Sequence, residues 1–277
     1  MKIGIDFGAT TTDIVAINKK GIVKGISFSA KKKYGVETLI KKLGFYREQV
    51  HGGIFVTGGK SSLLKKYKHI NEIKAIGTGG SFLAKKKKCL VASLGTGTCI
   101  VNVNNKKIEH FGGSGVGGGT VLGLNKLLCN TKNIKDINNL AKHGNLENID
   151  ITVKDIIGSG IGKVPANSTA SNFGNINRKN AKNTDKTLAV CSMVGQSLAM
   201  LLIFAAKATK QKHIILTGKL TEVKPVIISM KKVAKIYKKE FIIPKYAGIA
   251  TAIGSAVYKK WLYWYSFNIF RIICILK

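Results

Sequence analysis

The chain opens with alternating apolar strands and small polar turns, and the same alternation returns later. Apolar, largely β-branched residues fill positions 2–7 and 12–17, with a Gly/Thr turn between them. Positions 21–28 have the same character, so the opening predicts an antiparallel meander of three strands. The pattern recurs over positions 89–111, again with a Gly/Thr turn after its first strand. Two copies of one hairpin pattern indicate two related lobes.

Strands and helices alternate after each copy of the hairpin. Helical spacing of apolar residues is found at positions 35–43, 120–128, 184–210, 223–237 and 247–258, and short buried-type strands at 53–57, 213–217 and 240–243. This order predicts an α/β fold of duplicated lobes, residues 1–85 and 86–258, with a cleft between them. The last helix is a candidate to cross back to the first lobe. The polar residues 167–183 read as a loop.

The apolar, aromatic residues 259–277 differ from everything before them. They are too few to span a bilayer comfortably. They are either an interfacial anchor or the translation of non-coding, AT-rich sequence. We favour the second interpretation and expect no membrane contact by this tail, because an anchor helix should show an amphipathic stripe.

The net charge of +33, from 46 Lys+Arg against 13 Asp+Glu, is abnormal for a globular protein. It fits a polyanionic partner, but it also fits compositional drift, since lysine far outnumbers arginine. Base contacts and stacking favour arginine and aromatic residues interleaved with basic residues, and the sequence shows no such pattern. We therefore expect loose, salt-sensitive polyanion binding and no specific nucleic-acid partner.

Cysteine spacing and the N-terminus bear on compartment. The five cysteines form no CxxC pair, which argues against a zinc site or a disulfide framework. The N-terminal residues run directly into a strand and lack the apolar core of a signal peptide. A reducing cytoplasm is the expected location.

Three glycine-containing turns follow strands and carry the chemistry. The first is Ile5-Asp6-Phe7-Gly8-Ala9-Thr10-Thr11-Thr12, the second Gly95-Thr96-Gly97-Thr98, and the third Thr217-Gly218-Lys219. Backbone N–H groups in such turns can cradle phosphate. Asp6 is expected to face a metal ion, because a bare carboxylate beside phosphate would repel it. Two such hairpins facing one another would grip a polyphosphate from both sides.

A glycine-rich stretch, residues 112–119, opens the helix after the second meander. It matches the GxGxxG expression, yet the strands before it form a hairpin, so a Rossmann βαβ unit is not predicted. Glycine at a helix N-terminus instead favours contact with a nucleotide phosphate or sugar.

The order and spacing of these motifs resemble those of the type II pantothenate kinases. The resemblance rests on EIKAIGTGG, ASLGTGTCIVNV and GGSGVGGGTVLGL, with AKHGN and ASNFGNI downstream, and covers residues 1–258. It implies the duplicated fold of the acetate and sugar kinase, Hsp70 and actin superfamily, actin-like or ribonuclease H-like in each lobe, with ATP in the cleft. It also implies transfer of phosphate from ATP to pantothenate in coenzyme A synthesis, dependence on Mg²⁺, and a homodimer.

The resemblance also implies roles for individual residues. Glu72 falls on the family's catalytic glutamate, whose carboxylate would take the proton of the attacking alcohol. The nucleotide-binding residues it implies are Asp6, Phe7, Gly8, Ala9, Thr10, Thr11, Thr12, Asp13, Thr96, Gly97, Gly118, Gly119, Thr120, Val121, Leu122, Gly218 and Lys219. Of these, the resemblance implies that Gly218 and Lys219 flank adenosine.

Two departures from the family pattern concern the acceptor and the first loop. His110 stands where the family usually has an arginine that contacts substrate, and Asp13 stands where a lysine is common. A histidine still donates a hydrogen bond, so we predict that His110, Ser171 and Asn172 contact the substrate.

Two other functions remain open. One is an ATPase that drives a partner, like the activators of radical dehydratases; those present cysteines to an iron–sulfur cluster, and no cysteine pair is seen here. The other is a non-catalytic, polyanion-binding relative.

Overall fold

Two five-stranded mixed sheets form the protein, and they share one strand order. The computed structural model describes residues 1–59, 61–131, 133–175 and 181–258. The interpretation of residues 259–277 as an anchor or as read-through lies outside this part of the chain.

The first sheet has the order β3-β2-β1-β4-β5. Its strands are β1 (Lys2–Phe7), β2 (Thr11–Asn18), β3 (Gly21–Ser29), β4 (Ile54–Thr57) and β5 (Lys68–His69). The first three form the predicted antiparallel meander, while β4 runs parallel to β1 and β5 parallel to β4.

The second sheet has the order β12-β11-β6-β7-β8. Its strands are β6 (Lys88–Leu94), β7 (Thr98–Asn104), β8 (Lys107–Ser114), β11 (Ile214–Thr217) and β12 (Phe241–Ile242). Here too a meander is extended by parallel strands, with β11 beside β6 and β12 beside β11. Read from β8 to β12, the order matches that of the first sheet, which confirms the predicted duplication.

Helices cover both sheets. They are α1 (Val36–Leu43), α2 (Glu72–Ala84), α3 (Gly118–Cys129), α4 (Ile134–Leu140), α5 (Val153–Ile157), α6 (Asn183–Ala208), α7 (Lys224–Ile236) and α8 (Ala247–Tyr258). The apolar spacing of α1 brings Leu39, Ile40 and Leu43 onto the core of the first sheet. Helices α3, α6 and α7 pack in the core of the second.

Two helices connect the halves of the molecule. Ile76 of α2 packs against Val91 and Val101 of the second sheet. In the opposite direction, Ile253 of α8 packs on the first sheet, so the last helix crosses back as predicted. The helices cross where each carries a glycine: a Cβ at Gly79 would lie 2.0 Å from the carbonyl oxygen of Ala250, and one at Gly254 only 1.9 Å from that of Ala75.

The central region contains a short strand pair that was not predicted and a long apolar helix. The prediction of a loop over residues 167–183 is wrong at its start, where β10 (Thr169–Ser171) pairs with β9 (Ile151–Thr152). Helix α6 has the length and composition of a membrane span. It lies instead within the core of the second sheet, with residues such as Leu198 and Leu202 buried.

Candidate active site

A cleft of about 640 Å³ lies between the two sheets, at the ends of their hairpins. Its lining comes from both sheets, from the start of α2, from the start of α3 and from the segment after β11. The residues are Asp6, Gly8, Ala9, Thr10, Thr11, Asp13, Ser27, Glu72, Ile76, Ser93, Gly95, Thr96, Gly97, Thr98, Cys99, Ser114, Gly118, Gly119, Leu122, Ile134, Gly218, Lys219, Leu220, Glu222, Val223, Gly248, Ala250 and Thr251.

The two Gly/Thr hairpins face one another across this cleft. The Oγ1 atoms of Thr10, in the β1–β2 turn, and Thr96, in the β6–β7 turn, are 2.7 Å apart and share a hydrogen bond. The two residues are 86 positions apart in the chain, so the contact joins the two meanders directly. A ligand held between these turns would contact both halves of the molecule at once.

Three carboxylates of the first half lie in the cleft. Asp6 and Asp13 are paired across β1 and β2, and Glu72 is the first residue of α2, which begins after the N-cap Asn71. The Oδ1 atom of Asp6 is buried and has no hydrogen-bond partner among the described residues. Burial, followed by the charges of Asp13 and Glu72, raises the pKa of Asp6 from 3.8 to about 8.

Asp13 is held differently from Asp6. Burial raises the pKa of this carboxyl, opposed by the charge of Lys219 and by hydrogen bonds from Ser27 and Thr11. The ammonium of Lys219 lies 3.8 Å from Asp13 Oδ1, so one carboxylate of the cleft has a cationic partner and its neighbour has none in the described chain.

The start of α3 packs directly on the second hairpin. The N–H groups of Gly118 and Gly119 donate to the carbonyl oxygens of Gly95 and Thr96, at 2.8 and 2.9 Å. A Cβ on either glycine would come within 2.9 Å of the same oxygens. The glycine density therefore serves close backbone packing, and these two N–H groups are not available to an anion. The nucleotide contact expected of Gly118 and Gly119 stays a prediction, because both residues line the cleft although their N–H groups are already bonded.

The third glycine turn ends β11 and also reaches the cleft. Gly218 has φ 89°, and a Cβ there would lie 2.5 Å from the carbonyl oxygen of Leu94. Only glycine fits this conformation at this distance. The turn places Lys219 on the cleft wall, facing the first hairpin.

Not every predicted site residue lines the cleft. Phe7 and Thr12 lie in strands beside it, Val121 is fully buried in α3, and the Thr120 hydroxyl caps the turn before that helix. His110 is exposed on β8, opposite Val101. The contacts of these residues with nucleotide or substrate remain predictions that the cleft geometry does not support.

The predicted substrate residues Ser171 and Asn172, at the end of β10, also lie outside the cleft. Ser171 ends β10, and Asn172 donates from Nδ2 to Gln196 Oε1 of α6 at 3.3 Å. Neither residue lines the cleft. Their contact with substrate remains a prediction.

Several cleft residues were missed by the sequence reasoning. Ser93 and Cys99 are paired across β6 and β7 one step before the turn, which the strand alternation could have shown. Glu222 lies one short turn after Lys219 and is 3.3 Å from its ammonium. Gly248 and Thr251 come from the start of α8, and only the packing of that helix brings them here.

The carboxylates of the first hairpin fit a magnesium ion. No group of three or more His, Cys, Asp or Glu side chains is assembled for a metal within the described part of the chain. Mg²⁺ does not need one, because it is usually bound by one or two carboxylates together with waters and substrate phosphates. The unpaired, buried oxygen of Asp6 beside Asp13 is a donor set of this kind.

Solved structures define the class of fold. The activator of the 2-hydroxyisocaproyl-CoA dehydratase from Clostridium difficile, with bound ADPNP, is similar at a TM-score of 0.67 and 15% identity, covering 98% of this chain and 97% of that one. A ROK family glucokinase from Streptomyces griseus, in complex with glucose and AMPPNP, is similar at a TM-score of 0.50 and 15% identity, covering 92% and 97%. The fold is the actin-like fold of these ATPases and sugar kinases.

Sequence comparison identifies the family within that class. The Fumble family model matches residues 18–256. A type II pantothenate kinase of Bacillus cereus (strain G9842) is 35% identical over 230 residues, which is 78% of this chain and 82% of the relative. A type II pantothenate kinase of Staphylococcus haemolyticus is 27% identical over 231 residues, or 79% and 84%. The chain belongs to the Fumble family, and the resemblance seen in its motifs is confirmed.

Proposed function

We propose that the protein is an ATP-dependent kinase that phosphorylates the primary hydroxyl of pantothenate, a step of coenzyme A synthesis. Membership of the Fumble family and relatives named type II pantothenate kinase support the reaction. The main structural support for this function is the 2.7 Å contact between Thr10 and Thr96, which brings both turns to one cleft.

The turns hold the phosphate donor. In glycine turns, threonine hydroxyls and backbone N–H groups can donate hydrogen bonds to phosphate oxygens. Thr10 and Thr11 offer hydroxyls from the first hairpin, and Thr96 offers one from the second. A triphosphate between them replaces the direct Thr10–Thr96 hydrogen bond with contacts to each side.

Asp6 and Asp13 are the residues that would hold Mg²⁺ near the donor's phosphates. When bound, the ion would neutralise charge that develops on the transferred phosphoryl group and on the leaving ADP. The raised pKa of Asp6 fits this role, because a nearby cation would favour the ionised carboxylate that burial now disfavours.

Glu72 acts on the acceptor. Its carboxylate is exposed to the cleft at the start of α2, close enough to Asp6 to influence its charge. The acceptor hydroxyl donates a hydrogen bond to Glu72, and its oxygen forms the new bond to the γ-phosphorus as the bond to ADP breaks. The proton passes to Glu72 late in the transfer. Closure of the cleft would exclude water and limit hydrolysis.

We infer a homodimer in the cytoplasm, and a two-lobe division at residues 1–85 and 86–258, with His110, Ser171 and Asn172 as candidate contacts to pantothenate. None of these three residues lines the cleft, so their contact with substrate rests on the family resemblance alone.

A coupled assay of ADP release tests the proposal. Pantothenate, pantetheine, pantoate and hexoses are offered as acceptors, with a reaction lacking any acceptor as the blank. We expect ADP release with pantothenate as the only acceptor, or as the acceptor with the highest rate. Rapid ATP hydrolysis in the blank, unchanged by any acceptor, would contradict the kinase and favour a partner-driving ATPase.

The role of Glu72 has its own test. Glu72→Gln removes the proton acceptor while keeping the shape of the side chain. We expect kcat to fall by about 10²–10⁴-fold, with the dissociation constant for ATP unchanged by calorimetry. Unchanged kcat would remove Glu72 from the mechanism.

A further inference from the structure

The charge of the cleft is opposite to the charge of the whole protein. The chain carries a formal +33, yet the described residues that line the cleft include four carboxylates, Asp6, Asp13, Glu72 and Glu222, and a single positively charged side chain, Lys219. A nucleoside triphosphate is itself strongly anionic. Carboxylates alone would repel it, so cations must offset the repulsion.

Lys219 lies where such a cation would meet phosphate. Its ammonium is 3.8 Å from Oδ1 of Asp13 and 3.3 Å from Oε1 of Glu222. Asp13 is directly opposite Asp6 in the first hairpin, so the ammonium lies beside the predicted phosphate turn. The side chain of Lys219 is only 26% exposed, so its charge is partly shielded from solvent.

The ion pair between Lys219 and Asp13 also joins the two sheets across the cleft. Asp13 belongs to β2 of the first sheet, whereas Lys219 follows β11 of the second. The φ of 89° at Gly218 and its close approach to Leu94 fix where the lysine leaves the backbone. The lysine therefore starts from a rigid point and reaches across the cleft.

We propose that Lys219 is the residue that contacts the phosphates of the bound nucleotide, and that Asp13 and Glu222 position its ammonium when no nucleotide is bound. This inference rests on the proposed function. It gives Lys219 a different role from the adenosine contact that the family resemblance implies. A lysine ammonium is a compact point charge suited to phosphate oxygens. Asp13 thus acts as a partner for a lysine supplied by the opposite sheet.

Calorimetric titration with ATP, ADP and adenosine separates the two roles. For Lys219→Met we expect the dissociation constant for ATP to rise by about 10- to 100-fold, that for ADP to rise less, and that for adenosine to stay unchanged. Lys219→Arg keeps the charge and should recover part of the ATP affinity. Lys224→Met is the matched control, because Lys224 is exposed five residues further on and does not line the cleft; it should bind all three ligands as the wild type does.

Each result has a defined meaning. An equal loss for ATP and adenosine would overturn the inference in favour of an adenosine contact, and unchanged ATP affinity would remove Lys219 from the site. Thermal unfolding of Lys219→Met checks that the variant is folded, and Lys219→Arg provides the comparison if it is not. A wild-type protein that bound neither ATP nor ADP would refute the proposed function itself, not the role of one lysine within it.

Discussion

The two hairpins that face each other across the cleft share a backbone plan and differ in chemistry. One step before each turn, the first hairpin pairs Asp6 with Asp13, whereas the second pairs Ser93 with Cys99. All four side chains line the cleft. The same positions of a repeated motif therefore hold two carboxylates on one side and two small, uncharged groups on the other.

This difference shows how a duplicated fold acquires a directional site. The contact between Thr10 and Thr96 shows that the two turns lie face to face, as the proposed binding of a phosphate chain between them requires. The carboxylates of the first hairpin can hold a cation, and a second pair opposite them would add repulsion without a further ion. The second hairpin instead has α3 packed on its backbone, which makes it a rigid wall.

Matched substitutions at Asp6 and Ser93 carry the largest expected effect among the hairpin residues. Asp6→Asn removes the carboxylate proposed to bind Mg²⁺, so kcat should fall by about 10²–10³-fold. Ser93→Ala changes the equivalent position of the other hairpin and should leave kcat within a few-fold. Steady-state kinetics at saturating Mg-ATP measures both, and similar losses in the two variants would show that the hairpins are not chemically distinct.

The crossing of α2 and α8 sets how the two halves are held, and a glycine substitution tests it. Gly254→Ala places a Cβ 1.9 Å from the carbonyl oxygen of Ala75, so the helices must separate. We expect the free energy of unfolding to fall by about 1–3 kcal/mol. The control is Gly123→Ala in α3, where a Cβ would meet nothing within 4 Å and alanine should stabilise the helix by about 0.5–1 kcal/mol.

Urea denaturation followed by circular dichroism compares these glycine variants. A Gly254→Ala protein as stable as the wild type would mean that the helices do not cross closely in solution.

The raised pKa of Asp6 predicts a pH dependence between about pH 4 and 8 that the second hairpin lacks, because burial raises the pKa of its Cys99 to about 11. The pKa of the Asp6 carboxyl is about 8 in the folded protein, against 3.8 for an unperturbed aspartate. Its contribution to stability is therefore fully present below about pH 4 and is lost as the pH rises towards 8. In metal-free buffer, the melting temperature of the wild type should fall over this range relative to that of Asp6→Asn. A constant difference between the two proteins across the range would contradict the buried, unpaired carboxylate.

The smallest expected effect concerns the contact between the hairpins. Thr10→Val and Thr96→Val each remove one partner of the shared hydrogen bond and one hydroxyl near the phosphates. We expect each to weaken ATP binding by about 3- to 10-fold and by a similar factor, since the hydroxyls face the ligand from opposite sides. A loss confined to one variant would mean that one turn alone contacts the phosphates.

Local patterns in the sequence were sufficient for the meanders and their turns. β1 was predicted with the bounds it has in the structure, because its β-branched residues end sharply at a Gly/Thr turn. The predicted facing of the two hairpins is also confirmed, through Thr10 and Thr96. Repetition of the hairpin was the signal that made this prediction possible.

Tertiary packing decided what the local patterns could not. Helix α2 is not among the helices predicted from apolar spacing, and its Gly77, Gly79 and Gly80 lower helix propensity. Those glycines admit Val91, Ala250 and Ile108 at close range, and packing outweighs the propensity. The pairing of Asp13 with Lys219 joins residues of different sheets, and no local spacing predicts it.

A crystal structure of the protein with Mg²⁺ and a non-hydrolysable ATP analogue would show directly whether the two hairpins bind one triphosphate between them. We expect one nucleotide whose β- and γ-phosphates lie between residues 8–11 and residues 95–98, in hydrogen-bond contact with both turns. A nucleotide whose phosphates contact only one turn, or bind outside this cleft, would contradict it.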